Sequence, residues 1–390
     1  MSGDAPINVL ELRSVFGTGG GPEKTILLGT ARTDTARYAI TVCYLRDARD
    51  QAFAIDGWAR AVGVPYTEVL ERHSFDPALW RQLRQLVRER RIDIVHAHDY
   101  KTDVLALALA WAEGIVPMAT VHGWTGHSWK EQRLYYPLDK RALARFPHVV
   151  AVSEQIRQEL VAHGSRPERV TTVLNAIDPV VFQRDRGREA SIRASLGLPA
   201  DALVLGAVGR VEPQKRFDLL IDAFASLAAS RPQLHLVIAG DGSLRTEIEA
   251  RRAALNGLAA RVHLLGLRND VAALHHTFDL FVQASDYEGT PNAVLEAMAL
   301  ETPIVATSAG GTAEIAHDGV HAVIVPVGDG AALARGVAGL LDDPSRRRAL
   351  AASARARVEG ELSFATRVRH VERIYDLLME GRPRRAAAAP

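Results

Sequence analysis

The chain is poor in several features that would otherwise classify it. Its single cysteine, Cys43, excludes intramolecular disulfides and multi-cysteine metal sites. Set in the apolar run Ile40–Leu45, it reads as a buried structural thiol. No stretch approaches 18 consecutive apolar residues, so no membrane-spanning helix is predicted. The opening MSGDAPINVLEL lacks the basic start and apolar centre of a signal peptide. These two absences predict a cytoplasmic protein and leave open a peripheral contact with the inner face of a membrane. There is no excess of either charge. The 47 Lys and Arg stand against 46 Asp and Glu, which gives no ground for nucleic-acid binding. Neither HExxH nor DxD occurs, so no metal ligands are predicted.

What is present suits a soluble globular protein of two domains: 390 residues, 47% hydrophobic and 24% charged. Short apolar β-type runs alternate with helical segments. In the first half the predicted strands are Ile7–Leu12, Tyr38–Leu45, Pro65–Val69, Ile92–Ala97, Met118–His122, Val149–Ser153 and Val170–Leu174. A polar, charged break follows at 179–199. Alternation then resumes with Leu203–Val208, Leu234–Ala239, Val262–Leu265, Leu280–Val282, Ile304–Ala306 and Ala322–Val325. Repeated strand–helix alternation with near-continuous apolar strands predicts parallel, doubly wound sheets. The fold class is therefore α/β, with two doubly wound, Rossmann-like domains facing a cleft.

In such folds ligands bind at the carboxyl ends of strands. The first strand is followed by Gly17-Thr18-Gly19-Gly20-Gly21-Pro22, which either lets backbone approach a ligand or is a flexible turn. It lacks the GxGxxG spacing, and Glu23 stands where a P-loop needs glycine before Lys24, so dinucleotide and P-loop readings are poor. Later ends carry His96 and His98, then His122 in the loop VHGWTGH. A histidine at a strand end is most often a structural hydrogen-bonder. His122 gains weight from its glycine-rich, aromatic loop. In the second half, Gly209-Arg210-Val211-Glu212-Pro213-Gln214-Lys215-Arg216 places cations at a strand-to-helix turn. They are either solvated surface charge or a diphosphate clamp. Gly240, Leu267 and Arg268 lie at the ends of the next two strands, and Gly310-Gly311 follows a later one.

The segment Phe281–Leu300, FVQASDYEGTPNAVLEAMAL, organises the second half. Thr290 is predicted as an N-cap, with Pro291 as the first helical residue. The helix that follows is apolar beyond Asn292 except at Glu296, and a carboxylate in a buried helix is costly unless satisfied. Glu288, the helix start and Glu296 would suit a ligand with hydroxyls and a diphosphate. The competing reading is a loop glutamate and a helix glutamate paired with an arginine.

With these residues in view, the chain resembles the family 4 retaining glycosyltransferases of the GT-B fold, over nearly its whole length. The resemblance rests on the glycine-rich first loop, Ala151-Val152-Ser153-Glu154, Val173-Leu174-Asn175-Ala176-Ile177-Asp178, Gly209-Arg210 with Lys215, Glu288 through Glu296, and Gly310-Gly311-Thr312-Ala313-Glu314-Ile315. Two departures are Ala176, where the family commonly has glycine, and Gln214 before Lys215, with Arg216 where many members have glycine. The resemblance implies transfer of a sugar from a nucleotide diphosphate sugar to an acceptor hydroxyl, with retained configuration. It implies that His122, Arg210, Lys215 and Glu288 are catalytic. The donor would lie against Gly19, Gly20, Gly21, Arg210, Lys215, Gly240, Leu267, Arg268, Glu288, Gly289, Thr290, Pro291, Asn292, Ala293, Val294 and Glu296, with Glu296 on the ribose. No cofactor beyond the nucleotide sugar and no metal is implied. The acceptor would be a saccharide, a lipid-linked molecule or a small molecule, bound by the first domain. Expected limits are 1–185 for the first domain and 186–365 for the second. A helix over 366–380 is expected to cross back, and a disordered tail to occupy 381–390. A nucleotide-sugar 2-epimerase of the same fold is the alternative. A nucleotide-dependent oxidoreductase lacks its fingerprint, and a non-catalytic binding module leaves the cleft charges unexplained. Two segments, Leu79–Arg88 and Trp129–Tyr136, join apolar residues to cations in a way that suits a membrane surface; for the first, an ordinary amphipathic helix packed on the sheet is the favoured reading.

Overall fold

A computed structural model describes residues 5–17, 19–73, 76–124, 129 and 131–382. The chain divides into two compact units, 1–175 with 364–390, and 176–363. The division thus falls after Asn175, earlier than the expected limit at 185, because Ile177 pairs with Ser363 and donates its N–H to the Leu362 carbonyl. Of the expected disordered tail, 383–390 lie outside the described residues.

The first unit holds seven parallel strands: β1 Ile7–Val15, β2 Tyr38–Asp47, β3 Tyr66–Glu71, β4 Ile94–Ala97, β5 Val116–Val121, β6 His148–Ala151 and β7 Val170–Thr172, in the order β3-β2-β1-β4-β5-β6-β7. The second holds β8 Leu203–Val208, β9 Leu234–Ala239, β10 Val262–Leu264, β11 Leu280–Gln283, β12 Ile304–Thr307 and β13 Val323–Val325, in the order β10-β9-β8-β11-β12-β13. Every predicted strand is present. These runs are apolar on both faces because helices cover both sides of a parallel sheet. Asp76, Asp99, Ser153, Asp329 and Asp343 cap the helices that follow them, each side chain accepting from backbone N–H groups of the first turn.

Strand direction reverses its order of addition between β1 and β4 in the first unit and between β8 and β11 in the second. The loops leaving those strands therefore diverge, which opens the crevice where such sheets take ligands. In the first unit the two-residue period sorts side chains cleanly. Leu10, Leu12, Val95, Ala97, Ala119 and Val121 join one core. Ile7, Val9, Ile94 and Met118 join the other, which is closed by Val371, Ile374, Tyr375 and Leu378 of the helix Phe364–Met379. In the second unit a large core gathers around Leu205, Phe224, Leu236, Ile238 and Val282.

Gly206 shows how tightly that second unit is packed. A Cβ there would lie 2.1–2.3 Å from ring atoms of Phe278, itself buried. Gly206→Ala is expected to destabilise the protein by about 1–3 kcal/mol through overpacking, read as a lower midpoint in urea unfolding. An unchanged midpoint would contradict the packing described.

Candidate functional site

In the second unit the turn after β8 and the loop after β11 meet at the switch point. Lys215 Nζ lies 2.5 Å from Glu288 Oε1. The same oxygen accepts from Gln283 Nε2 at 2.9 Å and Ser285 Oγ at 2.7 Å. Three donors on one oxygen explain why a largely buried carboxylate is tolerated there. Gln283 is in turn held by Thr312, and Thr307 holds the Ser285 carbonyl, so β11 and β12 together fix the loop. The backbone N–H of Asp286 donates to the Gln214 carbonyl at 2.8 Å, tying the two loops a second time. Neither Gln283 nor Ser285 was singled out in the sequence, since each is an ordinary residue at a strand end.

Glycines make these loops converge. A Cβ on Gly240 would lie 1.8 Å from the Gly209 carbonyl oxygen, and one on Gly209 would lie 3.3 Å from Lys215 Cε. Arg216 adopts φ +49°, ψ +44°, the left-handed conformation that glycine takes without strain. Here the side chain compensates by bonding Asp218 and Asp286. Ala176, the other departure, has no positive φ and needs no glycine. Arg216 is thus committed to neighbours. Arg210 is exposed, and its guanidinium has no partner among the described residues.

The helix after this loop runs Asn292–Ala299 with Pro291 as its N-cap and no side-chain cap, correcting the assignment of Thr290 to that position. Pro291 is extended (φ −74°, ψ 109°), so the helix begins one residue later than predicted. Ala293 and Val294 lie in its first turn, and Glu296 is buried within it. Gly289 accepts from the Gly311 N–H at 2.8 Å, which draws the Gly310-Gly311 turn against the Glu288 loop. Leu267 is exposed, and Arg268 bonds Asp270 in bidentate fashion at 2.8 and 2.6 Å, so the structure does not join Arg268 to the Lys215–Glu288 pair.

In the first unit, Gly19 (φ +71°) and Gly20 precede the helix Gly21–Thr30. Glu23 Oε2 accepts from the Gly20 N–H at 2.6 Å, while its other oxygen pairs with Arg13. Burial opposes ionisation of Glu23, but Arg13 outweighs it and keeps the carboxyl below its usual range. Arg13 also donates to the His98 carbonyl at 2.6 Å. Glu23, held by Arg13, thereby anchors the glycine run at Gly20, and this charged anchor was unrecognised in the sequence.

His122 follows β5 on the same face as Met118 and Thr120. Its Nε2 lies 3.2 Å from His98 Nδ1. His98 Nε2 contacts Glu11, and Glu11 also meets His96 Nδ1 at 3.2 Å and the Tyr375 hydroxyl at 2.8 Å. Burial opposes the charge on Glu11, but His96 and His98 hold its pKa well below normal. Burial, with His96, takes His98 down to about 4 despite Glu11. Burial also keeps His122 well below normal, with Arg13 and His98 adding to the effect. Glu11, His96 and His98 place potential metal-ligand atoms within 4.8 Å of one another, a grouping the expectation of no metal ligands did not include. Beside it, Trp124 Nε1 donates to Asp139, which adjoins Asp103; burial and Asp139 push Asp103 well above a normal carboxyl. Residues 125–128 and 130 lie outside the described residues.

The two segments suggested for a membrane surface differ. The helix Pro77–Glu89 buries Leu79, Leu83 and Val87 in the sheet core, so its apolar face is occupied. In the second, Trp129, Leu134 and Tyr135 are exposed. Among the described residues no helix is long and apolar enough to cross a membrane.

Two parallel doubly wound units, each with charged side chains gathered at its switch point, define a GT-B architecture. Residues 19–181 match the family described as Glycosyltransferase Family 4, and residues 188–357 match Glycosyl transferases group 1. The putative glycosyltransferase EpsD of Bacillus subtilis (strain 168) is 31% identical over 329 residues, covering 80% of this chain and 84% of that protein. D-inositol 3-phosphate glycosyltransferase 1 of Catenulispora acidiphila is 30% identical over 308 residues, 74% of this chain and 73% of its own. Among solved structures, Anabaena Alr3699/HepE in complex with UDP-glucose superposes with a TM-score of 0.83 at 22% identity, covering 95% of this chain and 100% of that one. The chain belongs to the family 4 glycosyltransferases of the GT-B type.

The neutral histidine carries a stability consequence. His98 titrates near 6.5 when unfolded and at about 4 when folded. Its contribution is complete above pH 6.5 and is lost as pH falls from 6.5 towards 4, because the unfolded chain binds the extra proton. Urea midpoints should therefore decline across that window, and His98→Gln should flatten the decline. An equal slope in the variant would contradict this.

Proposed function

We propose that the protein transfers a sugar from a nucleotide diphosphate sugar to an acceptor hydroxyl with retention of configuration. The observation that carries this is the meeting of Lys215 and Glu288 at the second unit's switch point, with the exposed Arg210 on the same turn. In the transfer, the bond from the anomeric carbon to the diphosphate breaks, the bond to the acceptor oxygen forms, and the acceptor hydroxyl gives up its proton to the departing diphosphate. Negative charge grows on the departing diphosphate. Lys215 and Arg210 supply positive charge to meet it, Lys215 turning from Glu288 to the phosphate. The Gln283 and Ser285 bonds keep Glu288 partnered when Lys215 turns to phosphate, leaving its second oxygen for sugar hydroxyls. The backbone of Gly289–Asn292 lies against the sugar, Glu296 takes the ribose hydroxyls, and His122 takes a hydroxyl of the donor sugar. The UDP-glucose complex of Anabaena Alr3699/HepE supports a nucleotide sugar as donor.

A panel of UDP-, GDP- and ADP-sugars, incubated with and without acceptor extracts, tests the reading. Consumption that requires an acceptor is expected; an epimerised sugar formed without acceptor would replace transferase by epimerase. Lys215→Ala and Arg210→Ala should each cut kcat by about 10²–10³-fold, and Arg210→Ala should leave the melting temperature unchanged because its side chain is exposed. Near-normal turnover in both variants would remove the clamp.

The same cations predict that catalysis survives EDTA. Loss of activity on chelation, restored by magnesium or manganese, would overturn this.

A further inference from the structure

Strand alternation places Glu11, His96, His98, Thr120 and His122 on one face of the first sheet, beneath the helix that carries Tyr375 and Arg367. With Glu11 ionised and the His96 and His98 rings neutral, the hydrogen bonds among them have one consistent proton assignment. A carboxylate accepts only, so His98 must carry its proton on Nε2, the nitrogen in contact with Glu11. His98 Nδ1 is then a lone pair. His122 Nε2, 3.2 Å away, must donate to it. That leaves His122 Nδ1 without a proton, and this atom has no partner among the described residues. The second branch agrees. Tyr375 donates to Glu11 at 2.8 Å and accepts from His96 Nδ1 at 2.8 Å, and Thr120 Oγ1 donates to His96 Nε2 at 2.7 Å.

We propose that Glu11 and His98 are positioning residues that hold His122 in the Nε2–H tautomer, so that its Nδ1 can accept a hydrogen bond from a hydroxyl of the donor sugar and cannot donate one. This rests on the proposed placement of the donor sugar at His122. It adds a specificity: a hydroxyl, which can donate, is taken, and an oxygen that only accepts, as in a carboxylate, is disfavoured. The charged and titratable groups facing His98 support its neutrality. Arg13 donates to its backbone carbonyl, the His96 ring lies tilted against it with centroids 4.3 Å apart, and the buried Arg367 lines the small cavity that His96 and His98 share with Glu11; only Glu11 favours the charged ring, and burial with His96 outweighs it. The same geometry bears on the metal question. An ion at Glu11, His96 and His98 would have to displace the contacts that Glu11 makes with both rings, beside the buried Arg367 cation.

The test uses the full chain labelled with ¹⁵N-histidine, the ring nitrogens being read by long-range ¹H–¹⁵N NMR at pH 7.5. His122 and His98 signals are assigned from His122→Ala and His98→Gln. Wild type is expected to show both rings protonated on Nε2 and no stoichiometric metal by elemental analysis. Glu11→Gln can donate an amide hydrogen to His98, which reverses both tautomers. It should lower kcat at least tenfold, as loss of a tautomer-fixing carboxylate does elsewhere, on the nucleotide sugar that wild type consumes fastest. Affinity for the nucleoside diphosphate alone should be unchanged. His122 protonated on Nδ1 in wild type, or a bound metal ion, overturns the proposal without any variant. So does Glu11→Gln with wild-type tautomers and turnover while His122→Ala is impaired. Wild-type turnover in His122→Ala itself would instead overturn the placement of the sugar at His122.

Discussion

Everything in both units depends on strands that all point the same way. A parallel sheet sends every strand's carboxyl end to one edge, and each strand must be followed by a crossover before the next can pair. Where crossovers change sides, two neighbouring loops part instead of packing together. At β8 and β11 that parting admits Lys215 and Glu288 to one point from positions 73 residues apart. Neither could be held there by local sequence. The backbone pairing of Leu280 with Leu205 and Phe281 with Gly206 fixes the two strands in register, and the loops inherit their alignment from it.

The polar groups at these points are kept by saturation with hydrogen bonds. A buried carboxylate costs several kcal/mol unless it is paired. Glu288 meets this with an ammonium, an amide and a hydroxyl, and Glu11 with two imidazoles and a phenol. The difference lies in the kind of donor. Glu288 is matched by the full positive charge of the Lys215 ammonium, at the end of a long unbranched side chain. Glu11 is matched by rings fixed in the core, so its charge is spent on orienting them.

The strands were legible because parallel strands need apolar residues on both faces, and Leu203–Val208 and Leu234–Ala239 show that pattern without interruption. Lys215 and Glu288 were legible as residue types at strand ends, though not as a pair, since pairing depends on sheet order. Glu11 was not. One carboxylate in VLEL looks like an exposed position on a half-buried strand. Its meaning comes only when Ile7-Val9-Glu11, Ile94-His96-His98 and Met118-Thr120-His122 are read with the same parity, each running from apolar to polar towards the carboxyl end. The helix start at Asn292 was misjudged by one residue because Thr-Pro is a common cap, and the extended backbone of Pro291 could not be read from composition. The limit of the first unit was placed too late because the charged stretch after Pro179 marks a surface, whereas the pairing of Ile177 with Ser363 decides where the chain changes unit.

The helix Phe364–Met379 belongs to the first unit although the whole second unit precedes it in the chain. Tyr375 reaches Glu11 across 364 residues of sequence. A ribosome making this protein therefore releases an early unit that must wait, with part of one face of its sheet uncovered, while the later unit is synthesised and folds. Loop-closure entropy makes so distant a contact slow to form, and exposed apolar surface in the interval invites association. Ile7, Val9, Ile94 and Met118 form that waiting surface. The polar run of Glu11, His96 and Thr120 along the same face makes it less adhesive until the last helix arrives.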